Sequence, residues 1–281
     1  MIAPFLIRIF FKVPLLMEMP TDYTNYVRMV QMTEKQNLIA KIINISWFKF
    51  YKRVILRRIN FMRPLNKLMV DDLVNMNYPR ERMIKLANGI KSKKLIGLKK
   101  NPHPGVHYGF VGRLTKIKNL NFLLEVIKMY FNEYPNDKLF IYGEGPEKNS
   151  LLDFIYKNNM SENVFLVGFE NDQEKIYTNI DVLLNTSFGE GIPNVILEAM
   201  ATKTFIIASN VHGNNDLINH NETGFLFRHN NKNDFLKQLL RYRQNKVDID
   251  NILENANIEI VKNYDIQVIA HKLFAFFNSH L

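Results

Sequence analysis

From residue 106 onward the chain alternates two kinds of segment, and this alternation constrains its fold more than any other feature. "HYGFVG", "KLFIYG", "NVFLVG", "DVLLNTS", "TFIIAS" and "GFLF" are short apolar runs, most of them ended by glycine or serine. Several are apolar without a break, the pattern of strands buried on both faces of a parallel sheet. Helical stretches lie between them. "NLNFLLEVIKMYFNEY" (119–134) sets apolar residues at 120, 123, 124, 127 and 131 along one face, with Asn119 as its N-cap. "EKNSLLDFIYKNN" follows Pro146, "NVILEAMA" follows Pro193, and "NDFLKQLLRYRQ" and "IQVIAHKLFAFFNSH" close the chain. The alternation predicts an α/β lobe with a Rossmann-like, doubly wound parallel sheet.

The first third is different. Residues 1–100 hold 20 Lys and Arg against 6 Asp and Glu, and the remainder holds 17 against 21. The net charge of +10 is therefore +14 in the first third and −4 after it. A basic face of this kind suits an anionic membrane surface, or is simply solvated. Nucleic-acid binding through residues 41–67 ranks last, because no recognisable reading module is present. "ISWFKFYKRVILRRINFMRPLNKL" reads as helix up to Pro64, and "LMVDDLVNMNYPRERMIKLANGI" as strand, helix and short strand. The lysine-, glycine- and proline-rich connector "KSKKLIGLKKNPHPG" divides a partial N-terminal lobe (1–95) from a C-terminal lobe (96–281).

Composition removes several chemistries. The chain has no cysteine, which excludes disulfides, thiolate metal sites and cysteine nucleophiles. The seven histidines show no H-E-x-x-H spacing, so no metal site is expected. "DID" (248–250) mimics a metal-binding acid pair but lies between two C-terminal helices, far from any strand end. Arg8, Lys12, Pro4 and Pro14 interrupt the apolar N-terminus, so it reads as part of a soluble fold rather than a signal or a membrane span. The expected location is the cytoplasm, peripheral on the inner face of the cytoplasmic membrane.

Ligands of open parallel sheets bind beyond the carboxyl ends of the strands. There the chain carries Gly112, Arg113 and Lys118 in "GRLTKIKN", Gly143 in "GEGP", Gly168, and then "TSFGEGIPN". Pro193 marks the first position of a helix. The N–H groups of Ile192, Asn194 and Val195 then make an anion site, approached closely past Gly189 and Gly191. Glu190 stands outside this mouth and Glu198 about a turn and a half inside. Carboxylates suit paired hydroxyls, and Arg113 and Lys118 suit a diphosphate. The set reads as a nucleotide-sugar pocket. His212 reads as an ordinary loop histidine.

The ordered series "FVGRLTKIKN", "LFIYGEGPE", "NVFLVGF", "NTSFGEGIPNVILEAMA" and "HGNNDLINHNETGFLF" resembles the nucleotide-binding lobe of family 4 (group 1) glycosyltransferases of the GT-B fold, over about residues 60–281. The resemblance implies retaining transfer of a hexose from a nucleotide diphosphate sugar, such as a UDP- or GDP-hexose. The acceptor would be lipid-linked or a polysaccharide, in cell-envelope glycan synthesis such as that of capsule or lipopolysaccharide. It implies that Arg113 and Lys118 stabilise the departing diphosphate, that Glu190 contacts the donor sugar, that Glu198 binds ribose hydroxyls, and that no metal or other cofactor is needed.

Two departures from the family pattern stand out. Where the family has Gly and Pro in A-x-G-x-P-V-I, this chain has "ATKTFII", with Lys203 and Phe205, which strains the turn if positive φ is required there. The N-terminal lobe also reads as truncated by on the order of 100 residues. The alternative reading is thus a catalytically inactive sugar-nucleotide-binding fragment lacking most of the acceptor lobe.

Overall fold

The computed structural model describes residues 16–18, 59–244 and 248–280. The chain divides into two compact units, Met1–Ala87 with His271–Leu281, and Asn88–Ala270. The expected helical stretch over residues 45–58 and the basic aromatic run "WFKFYKR" lie outside the described residues.

In the first unit, β1 (Leu16–Glu18) pairs in parallel with β2 (Phe61–Arg63). The sequence reading made 61–63 helical. Pro64 is the reason it is not: a proline ring pushes the residue before it out of the α region. Met62 also bridges Met83, and Arg63 donates from Nε to Leu86 O (3.1 Å) and from Nη2 to Ala87 O (3.2 Å). Leu68–Val70, read as strand, begin α1 (Lys67–Asn75) instead. Asn66 caps that helix, its side chain accepting from Met69 N at 2.9 Å.

The second unit contains one six-stranded, wholly parallel sheet. Its strands are β3 (His107–Val111), β4 (Lys138–Tyr142), β5 (Val164–Gly168), β6 (Val182–Asn185), β7 (Phe205–Ser209) and β8 (Phe225–Phe227). These are the six apolar runs. Their order is β5-β4-β3-β6-β7-β8, so the chain reverses its direction of travel across the sheet between β3 and β6. That is the Rossmann-like order, and a crevice opens at the reversal.

Crossover helices account for both faces. Helices α2 (Leu120–Phe131), α3 (Lys148–Lys157) and α6 (Lys232–Arg243) join Tyr108, Phe110, Leu139, Ile141, Phe205 and Phe225 in one buried core. The other face carries α4 (Gln173–Asn179) and α5 (Asn194–Ala201). There Gly109 lets Ile180 lie where a Cβ would stand 2.5 Å from it. Helices α7 (Ile249–Glu259) and α8 (Ile266–Asn278) flank a π-helical turn, Ile260–Tyr264. Asp248 of the "DID" run caps α7, accepting from Asn251 N at 3.1 Å, which accounts for that acid without a metal.

The departure at Lys203 and Phe205 has a structural basis. Lys203 has φ 49°, the left-handed region that favours glycine. Phe205 is buried in the core, and its N–H donates to Asp181 O at 2.8 Å, a bond that proline could not make.

Candidate functional site

Five loops meet at the carboxyl edge of the sheet and are bonded to one another. Gly112 N donates to Tyr142 O (2.9 Å), Leu114 N to Glu144 O (2.9 Å) and Gly143 N to Gly168 O (2.7 Å). Across the switch point, Phe188 N donates to Ile117 O (2.8 Å) and Thr186 Oγ1 to Lys118 O (2.9 Å). Behind them, Glu190 N donates to His212 O (3.1 Å). Gly143 has φ 140°, and a Cβ there would lie 1.9 Å from Gly112 O, so no other residue fits.

Lys118 ends a 3-10 turn, Lys116–Lys118, before Asn119 in the left-handed region (φ 56°). Asn119 occupies the N-cap position of α2 as expected, but its side chain does not cap. It donates to Asn230 Oδ1 at 2.9 Å instead. The turn aims Lys118 across the switch point, where Nζ lies 2.5 Å from Glu190 Oε1. Both side chains are largely buried, at 19% and 12% exposure, so water screens the pair less than it would on the surface. Ser187 Oγ donates to the same oxygen at 2.6 Å.

Helix α5 begins at Asn194, one place later than expected, with Pro193 as its N-cap rather than its first residue. Ile196 N reaches back to Pro193 O (3.1 Å), so the N–H groups of Asn194 and Val195, just after Ile192, form the mouth of the helix. Gly189 and Gly191 flank Glu190 in the loop before it. Arg113 is exposed and makes no side-chain hydrogen bond or ion pair among the described residues.

Glu198 has different partners from Glu190. Oε1 accepts from Gln173 Nε2 (2.7 Å) and Oε2 from the Tyr177 hydroxyl (2.8 Å), both on α4. Burial raises its pKa, and the two hydrogen bonds oppose that rise. Two acceptor sites of the roughly four on a carboxylate are thus occupied. Among the described residues no group of three or more His, Asp or Glu is placed to hold a metal ion.

Residues 99–263, more than half of the chain, match the family described as Glycosyl transferases group 1. The chain belongs to this family. Among curated proteins this group 1 glycosyltransferase is 32% identical over 184 residues to an Escherichia coli UDP-Gal:alpha-D-GlcNAc-diphosphoundecaprenol alpha-1,3-galactosyltransferase, covering 64% of this chain and 46% of that one. It is 29% identical over 172 residues to a Staphylococcus aureus poly(ribitol-phosphate) alpha-N-acetylglucosaminyltransferase, covering 61% and 35%. The chain thus spans less than half the length of either relative. Anabaena HepE, solved with UDP, superimposes with TM-score 0.78 over 99% of this chain and 74% of that one, at 16% identity. A point mutant of S. aureus TarM, solved with Fondaparinux, alpha-GlcNAc-glycerol and UDP, gives 0.71 at 26% identity, over 79% and 45%. The fold is that of the GT-B glycosyltransferases.

In this group 1 glycosyltransferase the structure joins Lys118 directly to Glu190 and leaves Glu198 in a separate cluster. Sequence reasoning missed Ser187, Gln173 and Tyr177. Ser187 lay inside a quoted motif, three residues before Glu190, where its spacing was the available signal. Gln173 and Tyr177 gave none, because only the packing of α4 beside α5 brings them to Glu198.

Proposed function

We propose that the protein is a retaining glycosyltransferase that moves a hexose from a nucleotide diphosphate sugar to a lipid-linked or polysaccharide acceptor in cell-envelope glycan synthesis. The reading rests above all on the Lys118–Glu190 pair, set at the strand-order reversal beside the mouth of α5. Membership of the family and the sugar-transferring names of its relatives support it. UDP in the related structures makes a UDP-sugar the first donor to try.

In this reading the N–H groups of Asn194 and Val195 and the cations of Arg113 and Lys118 hold the diphosphate. As the glycosidic bond breaks, negative charge grows on the leaving diphosphate, and the same groups stabilise it. No metal takes part. Glu190 accepts from hydroxyls of the hexose, and Glu198 uses its remaining acceptor sites on the ribose. The acceptor is held at the cytoplasmic membrane face, a location suggested by the positive charge of the first 100 residues. No helix among the described residues is long and apolar enough to cross a membrane.

Calorimetric titration with UDP- and GDP-sugars tests the donor half. Binding to the wild type should weaken about tenfold or more in Arg113→Ala and Glu198→Ala. Equal binding by all three proteins rules out the pocket.

A further inference from the structure

The side chains behind Glu190 form a line of buried polar groups that the donor would not touch. Ser187, Ser209 and Asn214 each have 0% exposure. Asn214 Nδ2 donates to Ser209 O (3.0 Å) and Ser209 Oγ (3.2 Å). Ser209 Oγ donates to Ser187 O at 2.7 Å. Ser187 N donates to Asn185 Oδ1 at 3.1 Å, and Ser187 Oγ donates to Glu190 Oε1 at 2.6 Å. The line runs from the loop after β7 to the carboxylate, and fixes Ser187 from both sides of its peptide.

Stability alone does not explain this arrangement. Asn214 Oδ1 is buried without a hydrogen-bond partner, so its amide serves Ser209 while its own acceptor goes unsatisfied, which costs stability. The loop is pressed close as well: Gly213 has φ 88°, and a Cβ there would meet Glu190 O and Gly191 O at 2.6 Å. A hydroxyl donating to a carboxylate makes a strong, directional bond. Lys118, by contrast, is a point charge on a flexible stem, which supplies charge but little direction.

We propose that Ser187 is the positioning residue of Glu190, and that it sets the carboxylate's orientation toward the transferred sugar. The inference rests on the proposed function, because it takes Glu190 to meet that sugar. It separates two parts of the donor. A residue that orients the sugar-contacting acid affects recognition of the nucleotide sugar and leaves recognition of the bare nucleotide diphosphate intact.

The test is calorimetry on wild type, Ser187→Ala and Ser187→Cys, with UDP, UDP-glucose, UDP-galactose and UDP-N-acetylglucosamine. Ser187→Ala should weaken the preferred UDP-sugar about tenfold and change UDP by no more than about twofold. Ser187→Cys, similar in shape but a weaker donor, should fall between wild type and Ser187→Ala. An unchanged UDP-sugar affinity in Ser187→Ala overturns the positioning role. An equal loss of UDP and UDP-sugar overturns it too, since the hydroxyl then only supports the loop. A wild type that binds none of these ligands, nor GDP and its sugars, defeats the proposed function itself.

Discussion

Lys203 shows how one residue can carry strain in a sound fold. A left-handed conformation costs a non-glycine L-residue about 1–2 kcal/mol, and the Lys203–Glu254 pair, about half-exposed on both sides, returns little of it. Lys203→Gly is expected to stabilise the protein by about 1 kcal/mol after glycine's greater unfolded-state entropy is counted. The midpoint of urea unfolding measures this. Glu198 is a half-buried carboxylate bonded to Gln173 and Tyr177. Its folded pKa is raised, so the stability it contributes is present at low pH and is lost as pH rises above the ordinary glutamate value. Glu198→Gln does not titrate. Its stability relative to wild type should therefore improve from about pH 4 to about pH 7, as paired thermal melts would record, while its nucleotide-sugar affinity falls.

Elements divide by how locally their signals are written. The six strands and the long helices were legible because each is a short apolar run or an amphipathic period with its own punctuation. Where signals competed, the sequence reading failed. Leu68–Val70 have strand-like composition, yet Asn66 starts a helix over them. Phe61–Arg63 looked helical, yet Pro64 keeps Arg63 out of the α region and the run pairs with β1. The candidate site was partly legible for the same reason: Arg113, Lys118 and Glu190 follow recognisable strand ends and Glu198 lies in the helix after Pro193, whereas the α4–α5 contact is a tertiary fact. Helix α4 has only seven residues and depends on its cap, Asp172, which accepts from Glu174 N (3.0 Å) and Lys175 N (3.4 Å). Asp172→Ala should cost about 1 kcal/mol in urea unfolding and loosen the hold of Gln173 and Tyr177 on Glu198.

For the whole molecule, the compact units part after Ala87, within the stretch that leads into the lysine-rich connector. Bonds that no local pattern announces tie the residues that follow to the rest of the second unit: Ser92 Oγ donates to Asp265 Oδ2 (2.5 Å) and Ile90 N to Tyr264 O (3.0 Å). Farther along the connector, Lys100 donates to Tyr177 O (2.8 Å), Ile180 O (2.7 Å) and Thr204 Oγ1 (2.5 Å). Burial lowers its pKa from 10.5 to about 8, with Asp181 opposing the shift. Between those values the unfolded chain binds a proton that the folded chain does not, so stability rises with pH across that window. Lys100→Met should be less stable at neutral pH and should lose that rise, which urea midpoints at about pH 7 and about pH 10 would reveal.

The reversal of strand order also dictates a timetable. During synthesis β3 leaves the ribosome roughly seventy residues ahead of β6, its partner across the crevice, and closing so long a loop is slow. The crevice at the switch point therefore cannot form until β6 has emerged, and a nascent chain halted before Asn185 would have a growing half-sheet without the loop that carries Glu190.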